Sequence, residues 1–293
     1  MPRSVRFSRR AAGGQGAGPE KNQSDRVTAH HFEALGTTCS LIGVALEAQA
    51  LAGGERWVRR LGAALTRFSR HSELSRLNAC AGRWCSIGPE LELLLRASLR
   101  AHESSGGLVN VAVLPSMMAI GYTRPLSEGP GEAHVSEARM LPSLPGVLEV
   151  GRGAARVSAG AGIDLGGIAK GWMADRLCER LGPNAIANIG GDLFARGEGP
   201  AGAGWPVGLA GVTVMLRDQG AATSSVRKRR WGARHHLVDP RTGMPARTGL
   251  EEVSVVAASG VEAEVVAKTA LLLGPELAPV YCAVNAMAWW LGT

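Results

Sequence analysis

Paired glycines divide this chain into short segments. Three of these pairs, Gly106-Gly107, Gly166-Gly167 and Gly190-Gly191, stand beside an apolar stretch. Because glycine lacks a Cβ atom, such pairs allow tight turns and let the backbone come close to another group. The chain has 40 glycines but only four phenylalanines and two tyrosines. We therefore expect many short elements around a core of alanine, valine and leucine.

The length and the charge distribution favour one folded domain preceded by a solvated arm. A chain of 293 residues is long enough for one large domain or two small ones, and no linker is visible after residue 30. Residues 1–30 are rich in Gly, Ser and Arg without periodicity, and their six basic and two acidic residues contribute +4 of the net charge of +7. We predict a disordered basic tail over 1–30 and a single domain over 31–293.

Composition also disfavours several partners and compartments. The only dense basic run outside the tail, 227–230, has no interleaved aromatic residues, which argues against nucleic acid. The five cysteines are scattered and complete no zinc site, as is typical of reduced thiols. The N-terminus lacks the apolar core of a secretory signal, and no apolar stretch reaches the length of a membrane span. We expect a cytoplasmic protein without a membrane span.

Hydrophobic periodicity and turn residues predict alternating helices and strands. The predicted helices cover 55–68, 89–107, 261–273 and a segment from Ala169 to the stop at Gly182-Pro183. The predicted strands flank Gly36-Thr37 and Gly190-Gly191, form a hairpin before residue 163, and cover 253–259 and the C-terminal segment from residue 278. This pattern indicates one mixed α/β domain.

The stretch "DLGGIAKG", residues 164–171, has two interpretations. Gly166 and Gly167 before a helix would let backbone N–H groups approach an anion, and Lys170 would add a cation, which suits phosphate. Asp164 would then accept a hydrogen bond from a heterocycle N–H. Alternatively, the stretch is an ordinary Asp-stabilised turn followed by a solvated lysine.

Two further places carry candidate chemistry. His236 precedes a well-specified Asp239-Pro240 turn, and it is either a structural histidine or a general base facing a cleft. Asp239 is a second candidate for the proton acceptor, or belongs only to the turn. Glu264 and Lys268 stand four residues apart on the last predicted helix, as a stabilising ion pair or as a polar face turned toward the glycine loops.

The order of the motifs carries more information than any one of them. Eight segments occur in one order, and together they span about residues 32–293: LGTTCS, FSRHSELSRLN, GGLVNVAVLP, DLGGIAKGWMAD, NIGGD, ATSS, HHLVDPRTGMP and AEVVAKTALLLG. This series resembles the FAD:protein FMN transferase family, the ApbE-type flavin transferases. The resemblance implies a single-domain, mixed α/β, T-fold-type architecture.

The resemblance also implies an activity. Members of this family bind FAD and Mg²⁺, split the pyrophosphate, and join FMN through its phosphate to a Ser or Thr hydroxyl of a target protein, with release of AMP. The chain would therefore be a transferase, with FAD as substrate and a target flavoprotein as partner. Two alternatives remain open, a family member that binds FAD without turnover and one that hydrolyses FAD to FMN and AMP.

The resemblance implies roles for particular residues. The carbonyl of Gly167 and the carboxylate of Glu264 match metal ligands, and His236 and Lys268 are the catalytic candidates. Positions that match FAD contacts are Leu35, Phe68, Leu108, Val109, Asn110, Asp164, Lys170 and His236.

The chain departs from the family pattern at three places. Asn110-Val111-Ala112 replaces an Asp-Pro-Thr stretch, Glu264 replaces a metal-binding Asp, and Lys268 stands where the family often has a metal-binding Thr. A protonated lysine cannot ligate Mg²⁺, since it has no free lone pair. The hypothesis that follows is that the Lys268 ammonium stands where a metal cation would, so that metal dependence is weakened or lost.

Overall fold

A seven-stranded antiparallel sheet organises the computed structural model, which describes residues 26–293. The strands lie in the order β1-β2-β6-β7-β10-β15-β16, and every neighbouring pair is antiparallel. Their bounds are β1 (Val27–Ala34), β2 (Thr37–Val44), β6 (Ala185–Ile189), β7 (Asp192–Arg196), β10 (Gln219–Ser225), β15 (Glu252–Ala257) and β16 (Ala288–Gly292). Of the predicted tail over 1–30, residues 1–25 lie outside the described part. Residues 27–30 belong to β1, so the prediction of a disordered tail was wrong there.

Short strands make four smaller sheets around this one. β3, β5 and β4 form a three-stranded sheet, and β8 with β9, β11 with β12 and β13 with β14 form hairpins. Their bounds are β3 (Cys85–Ser86), β4 (Leu148–Val150), β5 (Ala154–Val157), β8 (Trp205–Leu209), β9 (Val212–Leu216), β11 (Arg230–Trp231), β12 (Arg234–His235), β13 (Val238–Asp239) and β14 (Met244–Pro245). The predicted hairpin before residue 163 is therefore present as β4 and β5.

The described residues also form seven α-helices and two 3₁₀ turns. The helices are α1 (Ala48–Leu65), α2 (Glu73–Ala79), α3 (Pro89–Ser104), α4 (Leu114–Ala119), α5 (Leu144–Val147), α6 (Ala169–Leu181) and α7 (Gly260–Asn285). The 3₁₀ turns are Leu126–Glu128 and Val135–Glu137. Proline opens α3 at its first position, where the missing N–H group costs no hydrogen bond.

Alternation along the strands gives the sheet two buried faces. On β2, Leu41 packs in the cluster that includes α1, α3 and α6, whereas Ile42 packs in the cluster under the β8–β9 hairpin. On β15, Val253 and Val255 pack with α7, whereas Val256 faces the hairpin side. Because successive side chains of a strand point to opposite faces, the helices cover one face of the sheet and the hairpin covers part of the other.

The predicted first helix was wrong at both ends. α1 begins at Ala48, seven residues before the predicted start, and it includes Gly53 and Gly54, which the helix propensity of glycine disfavours. Gly54 is accepted because a Cβ there would lie 2.6 Å from Leu41 Cδ1, so the helix needs glycine to approach β2. The helix ends at Leu65 because Thr66 is extended, so Phe68 lies beyond it.

The C-terminal prediction was also wrong. The helix predicted over 261–273 continues to Asn285 as α7, and only Ala288–Gly292 forms the closing strand. Gly274 has φ 81° and kinks the helix, so that Pro275 stands at the start of a second helical segment. Among the described residues α7 is the one helix long and apolar enough to cross a membrane by length and composition alone. Because 56% of its most apolar window is buried inside the protein, the expected absence of a membrane span stays a prediction.

The kink of α7 generates a prediction about stability. Replacing Gly274 with Ala places a Cβ on a residue with positive φ and 3.2 Å from the carbonyl oxygen of Thr248. We expect Gly274→Ala to lower the free energy of unfolding by about 1–3 kcal/mol, measured by urea denaturation. Gly208→Ala is the control, because its Cβ meets no atom within 4 Å, and it should change stability by less than about 0.5 kcal/mol. Equal effects of the two substitutions would contradict this account of the kink.

Candidate functional site

The loop that carries Asp164 is held from two sides. The Asn78 amide of α2 donates to the Ile163 carbonyl at 2.9 Å and accepts from the Ile163 N–H at 2.8 Å. The Asp164 N–H donates to the Val111 carbonyl at 2.9 Å, and Asp164 Oδ1 accepts from the Gly166 N–H at 2.7 Å. The Asp-stabilised turn is therefore present, and its backbone is fixed before any ligand is considered.

Arg67 connects this loop to an aromatic surface. Its Nε lies 2.5 Å from Asp164 Oδ2, and its side chain is only 5% exposed. The guanidinium lies over the rings of Phe68 and Tyr122, at 4.3 and 4.6 Å from their centroids, in cation–π geometry. Phe68 remains 40% exposed, so one face of this stack is open to a planar ligand. Arg67 was not among the residues predicted from the sequence, although it directly precedes the predicted contact Phe68.

Helices α6 and α7 approach each other through glycine. A Cβ on Gly171 would overlap the Gly260 carbonyl, so this crossing requires glycine on α6. Asp175 of α6 accepts hydrogen bonds from the N–H groups of Gly260 and Val261, at 2.6 and 3.1 Å. These contacts bring the first turn of α6 next to the second turn of α7.

Four charged side chains meet at this crossing, and we call them the charge cluster: Lys170 on α6, Asp192 on β7, and Glu264 and Lys268 on α7. Lys170 Nζ contacts Asp192 Oδ2 and lies 3.9 Å from Glu264 Oε1. Lys268 Nζ lies 3.8 Å from the same Glu264 oxygen. Glu264 is 4% exposed, and its Oε2 accepts from the Gly171 N–H at 2.9 Å. Lys170 and Glu264, 94 positions apart in the sequence, therefore share one site.

The glycine turns converge beside this cluster. A Cβ on Gly190 would overlap the Thr37 side chain, so the β6–β7 turn rests on the β1–β2 turn. A Cβ on Gly191 would lie 3.7 Å from Lys228 Nζ. Asp192 follows these glycines directly and is 2% exposed. The NIGGD motif gave no sign in the sequence that its Asp192 would join the charge cluster.

The Gly167 carbonyl and the Glu264 carboxylate both face the Lys268 ammonium. Lys268 Nζ donates to the Gly167 carbonyl oxygen, and the Lys268 side chain is 14% exposed. Mg²⁺ requires about six oxygen ligands at short range in near-octahedral geometry. The two oxygens that match metal ligands already hold an ammonium, and the described residues contain no group of three or more His, Cys, Asp and Glu side chains placed to hold a metal. This arrangement does not fit a magnesium ion.

His236 lies near the charge cluster in its neutral form. Its Nδ1 atom is buried and has no hydrogen-bond partner in the described part of the chain. Burial lowers the pKa of His236 well below its ordinary value, and the charges of Arg229, Lys268 and Lys170 lower it further. A neutral imidazole with a free ring nitrogen can accept a proton.

The two other polar groups of this segment have structural partners. His235 Nε2 lies 3.0 Å from the Ala246 carbonyl, and its Nδ1 accepts from the Leu237 N–H at 3.3 Å. Both oxygens of Asp239 accept from the Arg241 guanidinium, which also donates to the Leu272 carbonyl at 2.8 Å. Asp239 therefore stabilises the turn. Of the two candidate proton acceptors, only His236 has a side-chain polar atom without a partner among the described residues.

The remaining predicted contacts contribute mostly to packing. Leu35 has φ 56° in the β1–β2 turn and packs against the core, and Leu108 packs against the α7 side of the sheet. Val109 is buried. Asn110 donates to the Pro142 carbonyl at 2.8 Å and accepts from the Ala112 N–H at 2.9 Å, so its amide shapes the loop in which Val111 holds Asp164. None of these four contacts the charge cluster among the interactions of the described residues.

Two cavities lie away from the charge cluster. One, of about 360 Å³, is lined by the 137–142 segment, and the other, of about 750 Å³, is lined by Trp172, Arg100 and Arg176 among others. Neither has Lys170, Glu264 or Lys268 in its wall. The candidate site therefore consists of the charge cluster and the backbone of the Asp164 loop. The side chains of Arg67 and Lys268 contact that loop at Asp164 and at Gly167.

Comparison with known proteins finds similar chains in one family. The model of the ApbE family matches residues 35–288. A FAD:protein FMN transferase of Treponema pallidum is 30% identical over an aligned length of 245 residues, and the match covers 70% of this chain and 66% of that protein. One from Haemophilus influenzae is 23% identical over 81% of this chain and 76% of that protein.

Solved structures confirm the expected fold. The apo flavinyl transferase ApbE of Pseudomonas stutzeri has a TM-score of 0.77 and 23% identity, with 91% of this chain and 90% of that chain covered. The ApbE protein of Thermotoga maritima has a TM-score of 0.79 and 22% identity, with 91% and 94% covered. At this level of identity the comparison speaks for the single-domain mixed α/β fold alone.

The clamp on the Asp164 loop generates a prediction. Asn78→Ala removes two hydrogen bonds to the Ile163 backbone, so we expect a loss of about 1–3 kcal/mol in the free energy of unfolding. We also expect faster amide hydrogen exchange over residues 163–168. Asn285→Ala is the control, since the amide of this exposed residue bonds only the Tyr281 carbonyl. Unchanged exchange in the loop of Asn78→Ala would show that other contacts fix it.

Proposed function

The chain belongs to the ApbE family, and on that basis we propose that it transfers FMN from FAD to a Ser or Thr hydroxyl of a target protein, with release of AMP. The convergence of Lys170 and Lys268 at the α6–α7 crossing carries this proposal, together with His236, which lies near enough for both ammonium charges to lower its pKa. The matched segment spans about two thirds of the Treponema relative, whose name describes this transfer.

The two ammonium groups would recognise the diphosphate of FAD. Charge-assisted hydrogen bonds from lysine to phosphate are stronger than neutral ones, and partial burial strengthens them further. Lys170 is held by Asp192 and Glu264 at the start of α6, where the positive end of the helix dipole adds to the field. An anion at this position would be bound by charges that other side chains already keep in place.

The stack of Phe68, Arg67 and Tyr122 would receive an aromatic ring of FAD. Phe68 is exposed, and Arg67 fixes its orientation through the ion pair with Asp164. Aromatic rings and guanidinium planes both favour stacking on a planar heterocycle. Asp164 Oδ1 already accepts a hydrogen bond from Gly166, and Oδ2 is paired with Arg67. A ligand N–H could therefore bond Asp164 only if one of these oxygens accepted a second hydrogen bond. The FAD contacts of Leu35, Leu108, Val109 and Asn110 remain predictions.

The chemistry asks mainly for charge stabilisation and placement. The acceptor oxygen attacks the phosphorus atom of the FMN half, the bond from that phosphorus to the bridging oxygen breaks, and AMP leaves with the electron pair. The proposed acceptor of the hydroxyl proton is His236, whose buried Nδ1 atom has no partner among the described residues and whose neutral ring offers one nitrogen as an acceptor. Lys170 and Lys268 offset the negative charge that grows on the diphosphate oxygens. No step of this scheme uses a metal ion.

The proposed transfer is tested with FAD and a flavin-accepting domain. The protein is incubated with FAD and a purified target domain that carries an acceptor Thr, and the Thr→Ala variant of that domain is the control. We expect flavin fluorescence in the gel on the target domain alone, with one AMP released per label. AMP without label would indicate FAD hydrolysis, and neither product from protein that binds FAD would indicate a binding protein.

The proposed proton acceptor generates a prediction of its own. We expect His236→Gln to slow transfer about 10²–10⁴-fold with nearly unchanged affinity for FAD, because a general base acts on the transition state. His134→Gln is the matched control, since His134 is exposed and its ring bonds nothing among the described residues. If His236→Gln retained full activity, the proton would leave by another route.

The surroundings of the reaction also remain proposals. We infer a cytoplasmic enzyme whose partners are FAD and a flavoprotein with an acceptor Ser or Thr, and not nucleic acid. The supporting observations are the reduced cysteines, which are all free in the described residues, and the mild charge of the folded part.

A further inference from the structure

We propose that the Lys268 ammonium is the resident cation of this site, so that the chain binds FAD and transfers FMN without a divalent metal. This inference rests on the proposed function, and it concerns how the same site neutralises the diphosphate. The position at issue is bounded by the Gly167 carbonyl and the Glu264 carboxylate, which Lys268 joins.

The geometry fixes the ammonium in that position. Glu264 and Lys268 lie one turn apart on α7, so the Lys268 side chain reaches along its own helix toward Glu264 Oε1 at 3.8 Å. From there Nζ donates to the Gly167 carbonyl, which belongs to a loop 101 residues away in the sequence. An ammonium has three donors, so the third hydrogen of Nζ is available to a phosphate oxygen.

Gly167 is matched to this lysine. A Cβ on Gly167 would overlap Lys268 Nζ, so any larger residue would push the ammonium away from the carbonyl. The backbone conformation at position 167 does not require glycine, because φ there lies outside the positive region that favours glycine. The space above its Cα is therefore used by the lysine.

Before FAD binds, the charges of the cluster already balance without a divalent ion. Glu264 and Asp192 carry two negative charges, and Lys170 and Lys268 carry two positive charges in contact with them or within 4 Å. Burial lowers the pKa of both lysines, to about 8 for Lys170, and the nearby charge of Arg229 lowers both further. Adding Mg²⁺ to the ligand-free cluster would place two more positive charges among cations with no unpaired carboxylate to offset them, which is unfavourable in a partly buried site.

The test compares the wild type with Lys268→Thr in EDTA and in Mg²⁺. FAD affinity is measured by quenching of flavin fluorescence, and metal affinity by Mn²⁺ electron paramagnetic resonance on the ligand-free protein. We expect the wild type to bind FAD within about twofold in the two conditions and to show no tight Mn²⁺ site. Lys268→Thr should bind FAD about tenfold or more weakly in EDTA, a loss of about 1.4 kcal/mol, and regain affinity in Mg²⁺.

Two further variants make the result specific. Lys228→Thr removes one positive charge, as Lys268→Thr does, but from an exposed residue beside Gly191. The FAD affinity of this variant should be the same in EDTA and in Mg²⁺. Gly167→Ala displaces the ammonium from the carbonyl side without altering Lys268, and it should weaken FAD binding in EDTA. Circular dichroism shows whether each variant is folded, and Gly167→Ala decides the question if Lys268→Thr is not.

The outcomes separate this inference from the proposed function. Metal-independent FAD binding without transfer would leave the inference standing and would count against the transferase activity. If the wild type bound FAD only with Mg²⁺, or bound Mn²⁺ tightly without FAD, the inference would be overturned whatever the activity. If the protein bound no FAD at all, the Mn²⁺ measurement on wild type and Lys268→Thr would still decide it.

Discussion

The buried Glu264 carboxylate is the constraint on which the site depends. A carboxylate that is 4% exposed must be compensated by hydrogen bonds and opposite charges, because desolvation of an unpaired charge costs several kcal/mol. Here the Gly171 N–H and the ammonium groups of Lys170 and Lys268 provide the compensation. Each partner comes from a fixed element, so satisfying Glu264 also locks α6, α7 and the Gly167 loop in one arrangement.

The antiparallel sheet makes this arrangement possible. The sheet carries α6 and α7 on one face. Its turns at Gly36-Thr37 and Gly190-Gly191 meet at one end of the strands, beside the cluster. Glycine is required where backbones touch, at Gly171 against Gly260 and at Gly190 against Thr37. The fold thus delivers charged groups from distant parts of the sequence to a single point, and the family's activity is built on that point in our account.

Local signals in the sequence predicted elements well where pattern and propensity agreed. The helix from Ala169 to the stop near Gly182 and the strands flanking Gly190-Gly191 were confirmed because periodicity, capping and glycine turns all pointed to them. The start of α1 and the second half of α7 were missed because Gly53-Gly54 and Pro275 disfavour a helix locally, and tertiary packing overrode that preference.

Contacts between distant parts of the sequence were harder to predict. Neither the hydrogen bonds of Asn78 to Ile163 nor the Arg67–Asp164 ion pair has a signal in sequence spacing. The Glu264–Lys268 pair was visible at four residues, but the bond from Lys268 to Gly167 exists only in the folded chain.

A crystal structure of the protein with FAD would test the central claim most directly. The account predicts that the diphosphate lies at the α6–α7 crossing, with phosphate oxygens within about 3 Å of the Nζ atoms of Lys170 and Lys268 and one ring of the ligand against Phe68. A diphosphate bound elsewhere would contradict it, most plainly one held by Arg100 and Arg176 in the cavity of about 750 Å³ whose walls do not include Lys170 or Lys268.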